Sequence, residues 1–251
     1  MNERFWDKIA GNFDEEVFDT LKNDRNNIIV SYIDRFRSLE ATACDLGCGT
    51  GRYLPTLAER FKTIYAIDIS SKCLDVAQEI CRPLNNVIYI KADLSVPRLQ
   101  LRRFHFGISI NMLTMPSFKT RGAILRNFCT FTKKHGYLLL VVPSLESALY
   151  SNNRLLDWNA KSGSRRDDAF AIELNSSKSP VFASDGVLNF AGARTKHYLK
   201  EELIVLLEGV GFSVISVAKV EYPWTAMFGQ RPPWMKGPYP WDWLVLCTNK
   251  C

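Results

Sequence analysis

Between Ala41 and Pro143, short apolar runs alternate with stretches whose apolar residues recur at helical spacing. Ala41 to Cys44, Thr63 to Ile67, Val87 to Lys91, Phe104 to Ile110 and Tyr137 to Val142 are too short for helices and rich in β-branched and aromatic residues, so they read as strands. The last is almost continuously apolar, as a strand buried on both faces must be, and Pro143 stops it. Lys119 to Phe131 places Ala123, Ile124, Leu125, Phe128 and Phe131 on one helical stripe. The Lys133-Lys134-His135-Gly136 segment predicts that helix's end, because cations and a glycine suit a carbonyl terminus. Glu201 to Val210 is amphipathic through Leu203, Ile204, Leu206 and Leu207, with Gly211 ending it. Phe212 to Val220 and Trp241 to Thr248 then predict a sixth and a seventh strand. Strand and helix alternating in this way describe an α/β fold built on a parallel sheet.

The first strand runs into Asp45-Leu46-Gly47-Cys48-Gly49-Thr50-Gly51. An acid followed by three glycines at alternate positions predicts a sharp turn beneath a ligand, where side chains would block the approach of the backbone. A dinucleotide fingerprint would need glycine or alanine at Arg52, and no G-x-x-x-x-G-K-[ST] occurs, so neither of those nucleotide loops is present. Asp68 closes the second strand, where a carboxylate can accept both hydroxyls of a ribose. Its other reading is a helix cap, a task that Ser70 or Ser71 can perform instead. Asp93 follows the third strand, and Asn111-Met112-Leu113 ends the fourth, at the edge where parallel α/β sheets bind ligands.

With Asp45 ahead of its first glycine, the loop resembles the first motif of the class I S-adenosylmethionine-dependent methyltransferases. That resemblance implies a Rossmann-like, seven-stranded, mostly parallel sheet flanked by helices, whose last strand inserts antiparallel between the fifth and sixth. It implies S-adenosyl-L-methionine as cofactor, held by Asp45, Gly47, Gly49, Gly51, Asp68, Ile69, Asp93, Leu94 and Asn111. In the family the acid at Asp93 accepts from the exocyclic amine of adenine and the next N–H, here that of Leu94, donates to a ring nitrogen. Tyr198-Leu199-Lys200-Glu201-Glu202-Leu203 with Gly211-Phe212 resembles the closing helix and strand of small-molecule methyltransferases. Phe5-Trp6-Asp7-Lys8-Ile9-Ala10 and Asn12-Phe13-Asp14 resemble the opening of relatives whose first helices fold over the cofactor; alternatively Trp6, Ile9 and Phe13 pack as a stripe against the sheet. The fourth strand departs from the pattern. Many relatives begin it with aspartate and carry a histidine beyond its end, whereas here His105 stands at its start, which points to a structural or surface role.

The resemblance extends over nearly the whole chain and divides a single methyltransferase domain, 1–251, into an N-terminal helical cap (1–38), a cofactor-binding core (39–143), a substrate-side insertion (144–197) and a C-terminal part with an aromatic loop (198–251). The insertion predicts a helix near Leu145 to Trp158, a polar linker from Lys161 to Asp168 and a hairpin around Phe182 to Leu188. Between 222 and 243, Trp224, Trp234, Trp241 and Trp243 suit either an apolar acceptor or a structural lid. At 251 residues and 47% hydrophobic content the chain can bury a full core without disulfides. No apolar run approaches the roughly 20 residues of a membrane span, and Met1-Asn2-Glu3-Arg4 opens no secretory signal. Seven cysteines without a C-x-x-C pair indicate neither zinc nor a disulfide framework, so a reducing cytoplasm is the expected compartment and no metal is expected. The net charge of +6 comes from scattered pairs such as Arg102-Arg103 and Lys133-Lys134, which disfavours a nucleic-acid partner. The expected activity is methyl transfer to O or N of a small molecule, with RNA or protein methylation and noncatalytic cofactor binding as the alternatives. Chemistry alone offers His197, Tyr198 and Tyr150 as bases, but no spacing places any of them at the methyl group.

Overall fold

A computed structural model describes residues 2–162, 185–190, 193–228 and 231–250. The N-terminal segment folds as four short helices, α1 (Glu3–Ile9), α2 (Phe13–Glu16), α3 (Thr20–Asn23) and α4 (Ile28–Asp34). Strand and helix then alternate: β1 (Ser38–Leu46), α5 (Leu54–Ala58), β2 (Phe61–Asp68), α6 (Ser71–Ile80), β3 (Val87–Lys91), β4 (Phe104–Ile110), α7 (Phe118–Phe131), β5 (Thr132–Pro143) and α8 (Leu145–Lys161). The chain ends with β6 (Val187–Phe190), β7 (Ala193–Lys196), α9 (Lys200–Gly209), β8 (Phe212–Glu221), α10 (Trp224–Phe228) and β9 (Trp241–Asn249). Every strand predicted from the apolar runs is present.

The main sheet has the order β3-β2-β1-β4-β5-β9-β8. Its pairs from β3 to β5 are parallel, and β9 runs antiparallel to both β5 and β8, which is the expected insertion of the last strand. Side chains alternate across a strand, so β5 feeds both cores: Leu138, Leu140 and Val142 pack with Phe128 of α7 and Leu207 of α9, while Leu139 and Val141 pack with Ile33, Leu57 and Ala77 on the other face. That double burial explains the unbroken apolar run.

The end of α7 differs from the sequence reading. The helix stops at Phe131, where Thr132 Oγ1 donates to Phe128 O at 2.7 Å, and Lys133 to Gly136 already belong to β5. Register passes from Phe104↔Thr132 to Phe106↔Tyr137, so these residues form a bulge against β4. Gly136 is needed there for packing and not as a helix cap, since a Cβ would lie 2.9 Å from His105 O and Lys133 O. His105 itself takes the Thr42 N–H on Nδ1 at 3.1 Å and faces Lys133 Nζ at 3.0 Å, a structural position.

In the insertion, α8 is capped by Ser144, whose Oγ accepts from Ser147 N. Asp185-Gly186 lead into β6, with Asp185 Oδ1 accepting from Val187 N, and β6 pairs with β7. Residues 163–168 and 182–184, on which the linker and first half of the expected hairpin fall, lie outside the described residues. Lys196, only 2% exposed, anchors β7: its Nζ donates to Glu202 of α9 at 2.7 Å and to Asp185 O at 2.6 Å, and its N–H to Thr114 O at 2.8 Å. Trp224, Trp241 and Trp243 are buried, with Tyr150 packed against Trp224 and Trp241 at about 6 Å. No described helix is long and apolar enough to cross a membrane.

Candidate active site

The carboxyl ends of β1, β2, β3 and β4 open onto one cleft, roofed by the N-terminal segment. Asp45, Gly47 and Gly49 line it from β1, Asp68 and Ile69 from β2, Asp93 and Leu94 from β3, and Asn111 and Met112 from β4. Trp6, Phe13, Val17 and Phe18 close it from above, so the opening helices contribute to the cleft as well as packing on α6. Gly51 is the expected contact that the cleft does not include. Its backbone sits at φ +86°, and a Cβ there would come within 2.9 Å of Leu54 Cδ1 and 3.1 Å of Ala77 Cβ, so it serves the packing of α5 and α6.

The other two glycines make room for side chains that wall the cleft. A Cβ at Gly47 would collide with Met112 Cγ, and one at Gly49 would lie 2.7 Å from Phe13 Cζ; both backbones are also left-handed, at φ +83° and +53°. Gly47 N and Cys48 N donate to Ile67 O, tying the turn to β2.

The acids differ in environment. Asp45 is buried beneath the turn, and burial, followed by the neighbouring Asp68, pushes its carboxyl up to about 8. Burial also raises Asp68, while hydrogen bonds from Ser70 N to Oδ1 and Gly49 N to Oδ2, both 2.9 Å, oppose the rise. Ser70 caps α6 through its own Oγ, so Asp68 is not that helix's cap. Asp93 is exposed, and its Oδ1 accepts from Ser95 N at 2.8 Å and Ser95 Oγ at 2.7 Å, a turn that leaves Oδ2 available. Asn111 has φ +51° and its N–H donates to Val141 O.

Arg52 is a contact the sequence reading passed over. Its guanidinium turns up to the roof. It donates to Asp14 Oδ1 at 2.8 Å and to the carbonyls of Val17 at 3.0 Å and Phe18 at 3.1 Å, holding the segment that carries Phe13 and Phe18. A cation directly after the third glycine was the only signal for it. None of the three base candidates lines the cleft. The Tyr198 hydroxyl donates to Leu113 O at 2.7 Å, His197 Nδ1 to Thr195 O at 3.2 Å and the Tyr150 hydroxyl to Pro238 O at 3.2 Å. Nor do the tryptophans of the 222–243 loop reach it; they belong to the packing around α8 and β9.

Residues 43–136, which supply the turn, Asp68, Asp93 and Asn111, match a family described as methyltransferase domain. Over this segment the chain resembles a methyltransferase domain. The cleft fits S-adenosyl-L-methionine: glycines at the turn spare the room that side chains need, and three acids offer acceptors on successive strand ends. Magnesium protoporphyrin IX methyltransferase from Synechocystis PCC 6803, solved with S-adenosylhomocysteine, is similar with a TM-score of 0.63 at 14% identity, over 98% of this chain and 97% of that one. The N-methyltransferase NodS from Bradyrhizobium japonicum WM9 gives 0.62 at 10% identity, over 98% and 97%. A methyltransferase from Methanosarcina mazei gives 0.61 at 17%, over 87% and 96%. Likeness at these identities carries the fold alone. No curated protein matches the chain.

The buried acids set a pH dependence. Burial raises the Asp45 carboxyl to about 8 in the folded chain, above its unfolded value of about 3.9, so the folded chain binds an extra proton between these values. The stability this confers is complete below pH ~4 and lost as pH rises through 8; the raised carboxyls of Asp68 and Asp242 act with the same sign. Thermal melts without ligand are therefore expected to fall from pH 6 to pH 9, and D45N to flatten that fall. An identical slope in D45N would remove Asp45 as its source.

Proposed function

We propose that the chain transfers the methyl group of S-adenosyl-L-methionine to an O or N atom of a small molecule. The observation that carries this reading is the meeting of Asp45, Asp68 and Asp93 in one cleft beneath a roof of Trp6, Phe13 and Phe18. Asp68 with Ile69 takes the ribose, and Asp93 with the Leu94 N–H takes the adenine. Asp45, its carboxyl raised by burial, lies beneath the turn, where a ligand bearing sulfonium and ammonium charges would favour its ionised form. Asn111 stands at the end of β4, on the acceptor side. The roof supports an acceptor of limited size, and the buried thiols of Cys44, Cys48, Cys73, Cys81 and Cys247 accord with a reducing cytoplasm. The Synechocystis protein, a magnesium protoporphyrin IX methyltransferase, lends further support to a small acceptor, and the Bradyrhizobium protein, an N-methyltransferase, to transfer onto nitrogen.

The bound cofactor supplies an activated methyl group, so the chain's own residues have to align the acceptor and exclude water. Arg52 contributes by fixing the roof, and Phe13 and Met112 by filling the space against the turn.

Melts with S-adenosylhomocysteine, S-adenosylmethionine and NAD test the cofactor, because a ligand bound only by the folded state raises apparent stability. Stabilisation by the first two is expected; stabilisation by NAD alone overturns the reading. Labelled methyl transfer into metabolite, RNA and peptide pools tests the acceptor, with label expected in metabolites. Label confined to RNA or peptide would replace the small molecule, and binding without transfer to any pool would favour a noncatalytic role.

A further inference from the structure

Cations that are scattered along the sequence as short pairs are gathered by the fold at the amino edge of the sheet, the end opposite the cleft. Arg35 and Arg37 precede β1, Arg102 and Arg103 precede β4, and Lys133 and Lys134 stand at the start of β5. β1, β4 and β5 are consecutive in the sheet and run parallel, so the three pairs lie side by side. Phe36 pins the first pair there, its ring stacked on Phe106 of β4 at 5.3 Å and 4.4 Å from that of Tyr137 of β5. His105 of β4 joins the flanking strands, taking the Thr42 N–H of β1 on Nδ1 at 3.1 Å and facing Lys133 Nζ of β5 with Nε2 at 3.0 Å.

All of these cations are exposed except Lys133, which is half-buried. None of the six has a carboxylate partner among the described residues, and the nearby acids are already engaged: Asp34 and Glu59 pair with Arg60, and Glu40 with Lys62. Six is also the net charge of the whole chain, so the remaining residues sum to about neutral and the excess is concentrated in this row. Burial, and after it the charge of Lys133, hold the His105 imidazole below its ordinary pKa, in keeping with a positive potential at this edge. Like charges brought together without counter-charges oppose folding, and a basic stripe of this kind is the electrostatic footprint of an anionic partner.

We propose that this row binds the phosphate backbone of a duplex nucleic acid, without regard to base sequence. Three neighbouring strands span about 10 Å, a length over which one strand of a duplex presents about three phosphates. Four of the six cations are arginines, whose planar forks hold phosphate oxygens two at a time. The segments that carry the row expose one large apolar side chain, Leu39, and no aromatic ring. That leaves nothing on which unpaired bases would stack and too little to insert into a membrane, so the contact is electrostatic and made to phosphates. The length of β4, Phe104–Ile110, puts the row about 20 Å from the cleft. The nucleic acid is therefore a docking partner and not the methyl acceptor, and the proposal is independent of the cofactor reading.

Fluorescence anisotropy of a labelled DNA duplex of about 20 base pairs, measured from about 50 to about 200 mM salt, tests this. A logarithmic salt slope of about −3 to −5 is expected, with the same affinity for two unrelated sequences. R102Q/R103Q is expected to weaken binding about tenfold or more at the lower salt and to make the slope shallower by about 2; R35Q/R37Q is expected to do the same from a different segment. K200Q/K236Q removes two exposed cations outside the row and is expected to change affinity less than about twofold. Ligand-free melts check that each variant is folded, and either arginine pair serves if the other is not. No binding at the lower salt, an equal loss in K200Q/K236Q, or an unchanged slope in the folded arginine pairs overturns the proposal. Vesicles of phosphatidylcholine and phosphatidylserine are the second probe, and binding to them without binding to the duplex overturns it in favour of a membrane surface.

Discussion

Alanine at position 68 is expected to weaken S-adenosylhomocysteine binding by about two orders of magnitude in calorimetry. The Asp68 carboxylate is buried and already fixed by two backbone N–H groups at 2.9 Å, so it meets a ribose without rearrangement. A hydrogen bond to a charged group contributes about 1.5–3 kcal/mol, and even one and a half of the two expected from the ribose hydroxyls gives a hundredfold change. D68N should fall nearly as far, because an amide places an NH2 against one of the N–H donors of Gly49 and Ser70 and cannot satisfy both. Wild-type affinity in D68A would take the ribose away from this residue.

The second large effect concerns the anchor of the insertion. Lys196 is enclosed, and Glu202, 30% exposed at its side chain, is its only carboxylate partner among the described residues, at 2.7 Å. Deleting the partner of a buried charge is strongly destabilising, about 3–5 kcal/mol for a fully buried pair, and the partial exposure of Glu202 lowers this to about 2–3 kcal/mol for E202A. For a chain of this length the melting temperature should fall by about 4–12 °C. K196M keeps the buried stem and leaves behind a glutamate that water can reach, so its loss is expected to be about 1 kcal/mol. Ligand-free melts of both variants check the asymmetry. Equal losses, or a larger loss in K196M, would mean that packing and not the ion pair holds β7 to α9.

The sheet and the acids were legible because both are local signals: apolar runs of strand length, and an acid or a glycine directly after each. What escaped depends on contacts between distant residues. Arg52 reaches residues more than 30 positions earlier, and Asn111 meets Asp242 across 131 positions. The α7–β5 boundary failed for a different reason. Cations and Gly136 carry the signature of a helix end, yet the glycine is required by the His105 and Lys133 carbonyls pressed against it. Gly51 followed the motif but serves helix packing, and Trp224, Trp241 and Trp243 are as apolar as an acceptor site would need while lying in the core. Residue type announces that a group must be enclosed, not whether protein or ligand will enclose it.

The seat of β9 between β5 and β8 has a consequence for biosynthesis. β8 borders no strand of the main sheet except β9, so while the ribosome is still adding residues 212–240 it has no neighbour there to zip onto. The five parallel strands can assemble as a nascent domain first, and the remaining edge of β5 stays unpaired until the final segment emerges. A nonsense codon between Pro143 and Trp241 would thus release a polypeptide with that edge open to intermolecular association, making precipitation the foreseeable fate of such truncations.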